Sequence, residues 1–121
     1  VKLGTSKKQK IKEQIHAEMR RIAISRHPFC VCCGRSDGIL QGGHLIPKKK
    51  SEAVRFDLMN VFTQCPRCNK SHQYDQHRFI SWFIREYGED EYLDLVERSK
   101  VNSHRTIKDL EEILEEYRAI K

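Results

Sequence analysis

The chain has 121 residues, of which 33% are charged and 38% apolar, with a net charge of +6 at neutral pH. That is one domain's worth of chain with a modest core, which a structural metal would help to hold; no apolar run is long enough to span a membrane, and the basic start lacks the apolar stretch of a secretory signal. The charge is one-sided: residues 1–50 carry 12 Lys and Arg against 3 acids, while residues 81–121 carry 7 against 11, and such a basic half suits a polyanion such as nucleic acid.

Residues 6–26 read as a basic amphipathic helix. Ile11, Ile15, Met19 and Ile22 recur at helical spacing, and Pro28 ends the run. The apolar stripe is expected in the core, and Lys7, Lys8, Lys10, Lys12, Arg20 and Arg21 form a face able to lie along phosphates. The texture then changes to short apolar runs broken by glycine, proline and cysteine. Residues 38–44 read as a strand ending at His44, and Pro47 to Ala53 as a lysine-rich loop. Val54–Phe56 and Val61–Thr63 read as short strands about a turn at Asp57–Asn60. A helix is expected from Pro66, and three more over 74–87, 90–99 and 106–120, the first stopped by Gly88.

Five cysteines without a secretory context favour metal over disulfides and point to a reducing, cytoplasm-like compartment. Cys30-x2-Cys33-Gly34 and Cys65-x2-Cys68 have the spacing of a four-cysteine zinc site. Cys32 is the odd one, because a knuckle takes ligands at i and i+3 with a small residue after the second. A disulfide such as Cys32–Cys65 is the alternative. A zinc cluster near a helix start would pin two strands and a helix into a ββα unit, metal substituting for core. His44 would then sit at the end of the first strand, Asn69 in the first turn of the helix, and Asn60 between them. His16, His27 and His104 show no partner pattern and read as surface or core residues. The first residue is valine, which fits a processed or truncated piece of a longer protein.

The series His44-Leu45-Ile46-Pro47, Asn60-Val61 and Cys65-x2-Cys68-Asn69 resembles the HNH, or ββα-metal, endonuclease motif in its His-Asn-Asn form. The cysteine pairs resemble the zinc-stapled branch of that superfamily, and the likeness covers about residues 28–75. More narrowly, Gly43-His44, Val54-Arg55-Phe56-Asp57, Asn60-Val61, Gln64-Cys65-x2-Cys68-Asn69 and a helix ending in Tyr87-Gly88 look like the phage NinG/Rap recombination proteins, out to about residue 100. The resemblance implies that His44 is the general base that takes a proton from the attacking water. It implies that Asn60 braces the loop and orients that histidine, and that Asn69 ligates a catalytic Mg²⁺ or Mn²⁺. Many family members carry Asp or His before the base as a second ligand, whereas Gly43 offers none. His72, one turn after Asn69, is the substitute, with Asp57, Gln73 and His77 also near in sequence. Lys48, Lys49 and Lys50 beside His44, together with Arg55, Arg67 and Lys70, are read as nucleic-acid contacts.

The expectation is a single α+β domain over residues 1–121. A small zinc-stapled ββα core at 28–75 lies between a basic helix at 6–26 and a helical part at 76–121. Its expected activity is metal-dependent cleavage of DNA, on branched recombination intermediates such as Holliday junctions or D-loops. It is expected in the cytoplasm of a bacterial host, encoded by a phage or prophage. A homodimer joined by the apolar faces of the C-terminal helices would suit paired strand cuts. The alternative is a non-catalytic, zinc-dependent nucleic-acid-binding module, and a protein-interaction scaffold is a third reading.

Overall fold

In the computed structural model, which describes residues 6–121, the Ser6 hydroxyl accepts a hydrogen bond from Gln9 N and starts α1, Lys7–Arg26. The first five residues of the expected domain, Val1 included, lie outside the described residues. After α1 come β1 (Gln41–His44), a 3₁₀ turn (Leu58–Asn60), β2 (Val61–Gln64), α2 (Pro66–Ser71), α3 (His77–Tyr87), α4 (Glu89–Ser99) and α5 (Ile107–Arg118). The class is α+β, with a two-stranded sheet. No helix among the described residues is long and apolar enough to cross a membrane.

The stripe of α1 is buried as its spacing requires, and Ile11, Ile15 and Met19 pack against Leu110 and Leu114 of α5 in a cluster that also takes Phe56 and Val61. β1 and β2 pair antiparallel, with Gln41 opposite Gln64 and His44 opposite Val61. The two-residue period of β2 divides the core. Val61 enters the α1–α5 cluster, while Phe62 enters a second one with Val31, Leu45, Phe79, Phe83 and Leu95. From the apolar faces of the last three helices, Phe79 and Phe83 of α3, Leu95 of α4 and Leu110 and Leu114 of α5 are buried within the chain, while Leu93 of α4 stays exposed. Burying those faces is what holds the helices on the small sheet.

Three local expectations are corrected. Val54–Phe56 is a turn and not a strand: Asp57 N bonds the Val54 carbonyl at 3.2 Å. Its alternating apolar residues serve two cores instead of one sheet face, Val54 entering the second cluster and Phe56 the first. The first strand covers only Gln41–His44, because its partner strand ends at Gln64, opposite Gln41, where Cys65 caps the next helix. The helix expected from residue 74 starts at His77, after a turn in which Tyr74 N and Asp75 N both bond the Ser71 carbonyl.

Candidate metal centre and adjoining cleft

The two cysteine pairs converge. The Sγ atoms of Cys30, Cys33, Cys65 and Cys68 all lie within 4.8 Å of one another, and Cys33 Sγ is 3.9 Å from Cys65 Sγ. A zinc ion with Zn–S bonds of about 2.3 Å at the centre of a tetrahedron sets sulfur–sulfur edges of about 3.8 Å. The four thiols fit that geometry, which is the arrangement of a structural zinc site. Local backbone makes each half. Gly34, at φ 82°, closes the first knuckle by bonding the Cys30 carbonyl at 2.7 Å, a conformation that a residue with a Cβ rarely adopts. Cys65 caps α2, its sulfur accepting from Cys68 N at 3.5 Å. Cys32 stays out of the set and pairs with no other cysteine. Its sulfur accepts from Gln64 Nε2 at 3.3 Å, and burial pushes its thiol up to about 11 against that bond, so it keeps its proton. Four protein thiolates close a zinc site and leave no open position for catalysis.

Beside this centre, α1, β1, the 47–49 loop and the end of α2 enclose a cleft of about 340 Å³. His44, Asn69 and His72 line it together, with Lys48 and Lys49 at its rim and His16 reaching in from α1. His44 Nε2 lies 2.9 Å from the Arg55 carbonyl. A carbonyl only accepts, so the neutral ring carries its proton on Nε2 and keeps a lone pair on Nδ1. Among the described residues the only buried, unpaired side-chain N and O atoms are Gln64 Oε1 and His72 Nδ1. His44 Nδ1, which also lacks a partner in the protein, therefore reaches solvent. Burial pulls the pKa of His44 from 6.5 down to about 4; the bond to the Arg55 carbonyl opposes this, and the charges of Lys48 and Arg55 add to it.

Asn60 is fully buried and does not line the cleft. Its Oδ1 accepts from Ile46 N at 2.8 Å, and its Nδ2 donates to the carbonyls of Ile46 and Val54 at 3.0 and 3.1 Å. It ties together the two chain segments on either side of the lysine loop. Asn69 donates from Nδ2 to Gln41 Oε1 at 2.9 Å, which leaves its Oδ1 as the free atom. His72 donates from Nε2 to the Leu45 carbonyl at 2.8 Å, and its Nδ1 is left without a partner. A Cβ on Gly43 would stand 1.8 Å from Gln64 Oε1, so a carboxylate at this position requires the Gln64 side chain to move away. Of the other groups near in sequence, Gln73 lines the cleft, whereas Asp57 pairs with Arg98 at 2.9 Å and His77 sits on α3 beside Ser81.

The basic residues divide. Lys48 and Lys49 line the cleft, while Lys50, Arg67 and Lys70 are exposed outside it. Arg55 is held within the protein, its Nε donating to His16 Nε2 at 3.2 Å and its Nη1 lying 3.3 Å from Glu52. On α1, Lys12 pairs with Glu52 at 3.5 Å, Arg21 with Glu18 at 2.8 Å and Lys7 with Glu111 at 3.9 Å, and Arg20 donates to the Leu40 carbonyl at 2.8 Å, which leaves Lys8 and Lys10 as the freer charges of the basic face. Sequence reasoning missed His16 in the cleft. The one signal available was its place next to Ile15, on the flank of the apolar stripe, one turn after Lys12.

The family model described as bacteriophage lambda NinG protein matches residues 4–121 of this chain. Comparison with curated proteins and with solved structures yields no match.

Proposed function

The chain belongs to the bacteriophage lambda NinG family, and on that premise we propose that it is a metal-dependent DNA endonuclease of the HNH type. Its substrates in this reading are branched recombination intermediates, met inside a phage-bearing bacterial cell. The observation that carries the reading is the state of His44: a neutral imidazole lining a cleft beside Lys48 and Lys49, with its Nδ1 lone pair unpaired in the protein.

In this reading the two lysines draw a backbone phosphate to the cleft mouth. A water hydrogen-bonded to His44 Nδ1 gives that nitrogen its proton as the water oxygen attacks phosphorus, and the 3′-oxygen leaves. The Arg55 carbonyl fixes the tautomer, so the lone pair stays on Nδ1, the ring nitrogen without a partner in the protein. Asn60 is a positioning residue, which holds the backbone after His44 against the Val54 turn. Of the groups offered to a divalent ion, Asn69 Oδ1 is unpaired, whereas His72 Nδ1 is unpaired but closed off from solvent and would have to be uncovered to reach an ion; no carboxylate lines the cleft. So few protein groups would hold Mg²⁺ or Mn²⁺ only weakly by themselves, since hard ions favour several oxygen ligands, so the ion would bind together with DNA. When bound, such an ion offsets charge developing on the phosphate and on the leaving oxygen.

The same lack of a carboxylate favours a second reading, a zinc-dependent nucleic-acid-binding module without catalysis. The test compares wild type with His44→Ala on labelled four-way junction and matched linear duplex, with and without Mg²⁺ or Mn²⁺. Metal-dependent cutting that the variant loses, faster on the junction, supports the nuclease. Equal binding by both proteins with no cutting in either metal refutes it in favour of the binding module.

A further inference from the structure

We propose that His16, on the helix ahead of the zinc-stapled unit, is a second functional histidine of the cleft, whose Nδ1–H donates to a non-bridging oxygen of the bound phosphate. The inference rests on the nuclease reading above and adds to it a substrate contact from outside the motif. Three observations carry it. The His16 ring lines the same cleft as His44, with centroids 5.4 Å apart and planes edge to face at 85°. Arg55 sets the two rings in opposite senses. Its carbonyl accepts from His44 Nε2, while its guanidinium Nε donates to His16 Nε2 at 3.2 Å. A guanidinium cannot accept a hydrogen bond, so His16 Nε2 is bare and its proton sits on Nδ1. That Nδ1 has no partner in the protein and is not among the buried unpaired atoms, so it reaches solvent.

Both rings line the cleft, and each leaves one unpaired nitrogen, an acceptor on His44 and a donor on His16. An attacking water requires the first and a phosphate oxygen the second. The ring is also held rigidly, stacked on Phe56 at 5.2 Å and 27°, so the donor is in place before the substrate arrives. Burial, then the charges of His44, Arg55, Lys48 and Lys12, pull the pKa of His16 down to about 3. It donates as a neutral N–H at working pH.

The test begins with imidazole ¹⁵N spectra of the zinc-loaded full chain, titrated with a short four-way junction without Mg²⁺. His16 is expected as the Nδ1–H tautomer, with its Nδ1 signal moving as DNA saturates the protein. Two variants separate chemistry from packing. His16→Phe keeps the stacked ring and removes the donor, and His16→Asn loses the ring and keeps an N–H at similar reach. His16→Phe is expected to lower kcat on the order of 100-fold, the scale for losing one preorganised donor, with KM little changed and His16→Asn retaining more activity. A purely structural histidine gives the reverse order of the two variants and overturns the proposal. So does an Nε2–H tautomer, or a His16 signal that stays still at saturation. If wild type never cuts but the His16 signal moves, the nuclease reading fails and the phosphate contact stands. If wild type and His16→Phe cut alike, the nuclease stands and this inference fails.

Discussion

Replacing Asn60 by alanine tests how the cleft is built. The side chain is fully buried and makes three hydrogen bonds, of 2.8, 3.0 and 3.1 Å, to the backbone of Ile46 and Val54. Alanine removes all of them and leaves one N–H and two carbonyls facing a small void. Each buried backbone group left without a partner costs about 1–3 kcal/mol, and partial entry of water lowers the total, so the loss should be about 3–5 kcal/mol. Against a stability of roughly 5–15 kcal/mol for a typical domain, that is a large fraction. The assay is urea unfolding of zinc-loaded protein at pH 7, with zinc content checked before and after. Asn60→Asp serves as a control: it keeps an acceptor for Ile46 N but turns an oxygen toward two carbonyls, and should destabilise at least as much as alanine. Amide exchange should rise first at Leu45 and Ile46, next to His44. A loss below about 1 kcal/mol with both amides still protected would refute the idea that Asn60 braces this loop.

Three further outcomes follow from the same geometry. Chelating zinc should unfold the segment from Cys30 to α2, read as loss of circular dichroism, whereas Cys32→Ser should retain one zinc per chain by elemental analysis because Cys32 lies outside the cluster. Gly43→Ala should destabilise by about 1–3 kcal/mol through collision with the Gln64 side chain. Shortening that side chain as well, in Gly43→Ala with Gln64→Ala, should return part of the loss, so additive effects in the double-mutant cycle would count against the contact. Acid should weaken the fold through the two cleft histidines. Their pKa values fall from 6.5 to about 3 for His16 and about 4 for His44, so the unfolded chain binds more protons in the window between. Their contribution is intact above pH 6.5 and is lost as pH falls toward 4 for His44 and toward 3 for His16, by about 1–2 kcal/mol at pH 5 for His44 and less for His16, where solvent screens more of the effect. His16→Phe should flatten that slope in urea midpoints measured from pH 7 to 5, and an unchanged slope would show that His16 titrates normally.

Much of the fold is written in short stretches of the chain. The i, i+4 stripe of α1 and the apolar periods of α3, α4 and α5 act within a few residues, and burial only has to find each face a partner. The zinc set is nearly as local, because a C-x2-C turn with glycine behind it brings two sulfurs together without help from the rest of the chain. That is why Cys32 could be set aside from spacing alone. The turn at Val54–Phe56 was illegible for the opposite reason. Alternating apolar residues describe a strand only if both face one core, and here two clusters far apart in sequence each take one.

The candidate site shows the same divide. The resemblance to the His-Asn-Asn motif marks His44, Asn60 and Asn69 as a group, yet only the tertiary structure puts His44 and Asn69 in a cleft with Lys48 and Lys49 and buries Asn60 away from it. The glycine at 43 looks like a missing ligand in sequence; in three dimensions its space is taken by Gln64 from the neighbouring strand. Arg55 looks like a free cation for phosphate, but folding turns it inward to set the tautomers of two histidines 11 and 39 residues away. Spacing along the chain determined which residues can coordinate zinc and which faces must be buried, because those forces act over a turn or a knuckle. Which polar groups face the cleft, and in which protonation state, was decided by contacts between α1, the 44–60 segment and α2 that no local pattern records.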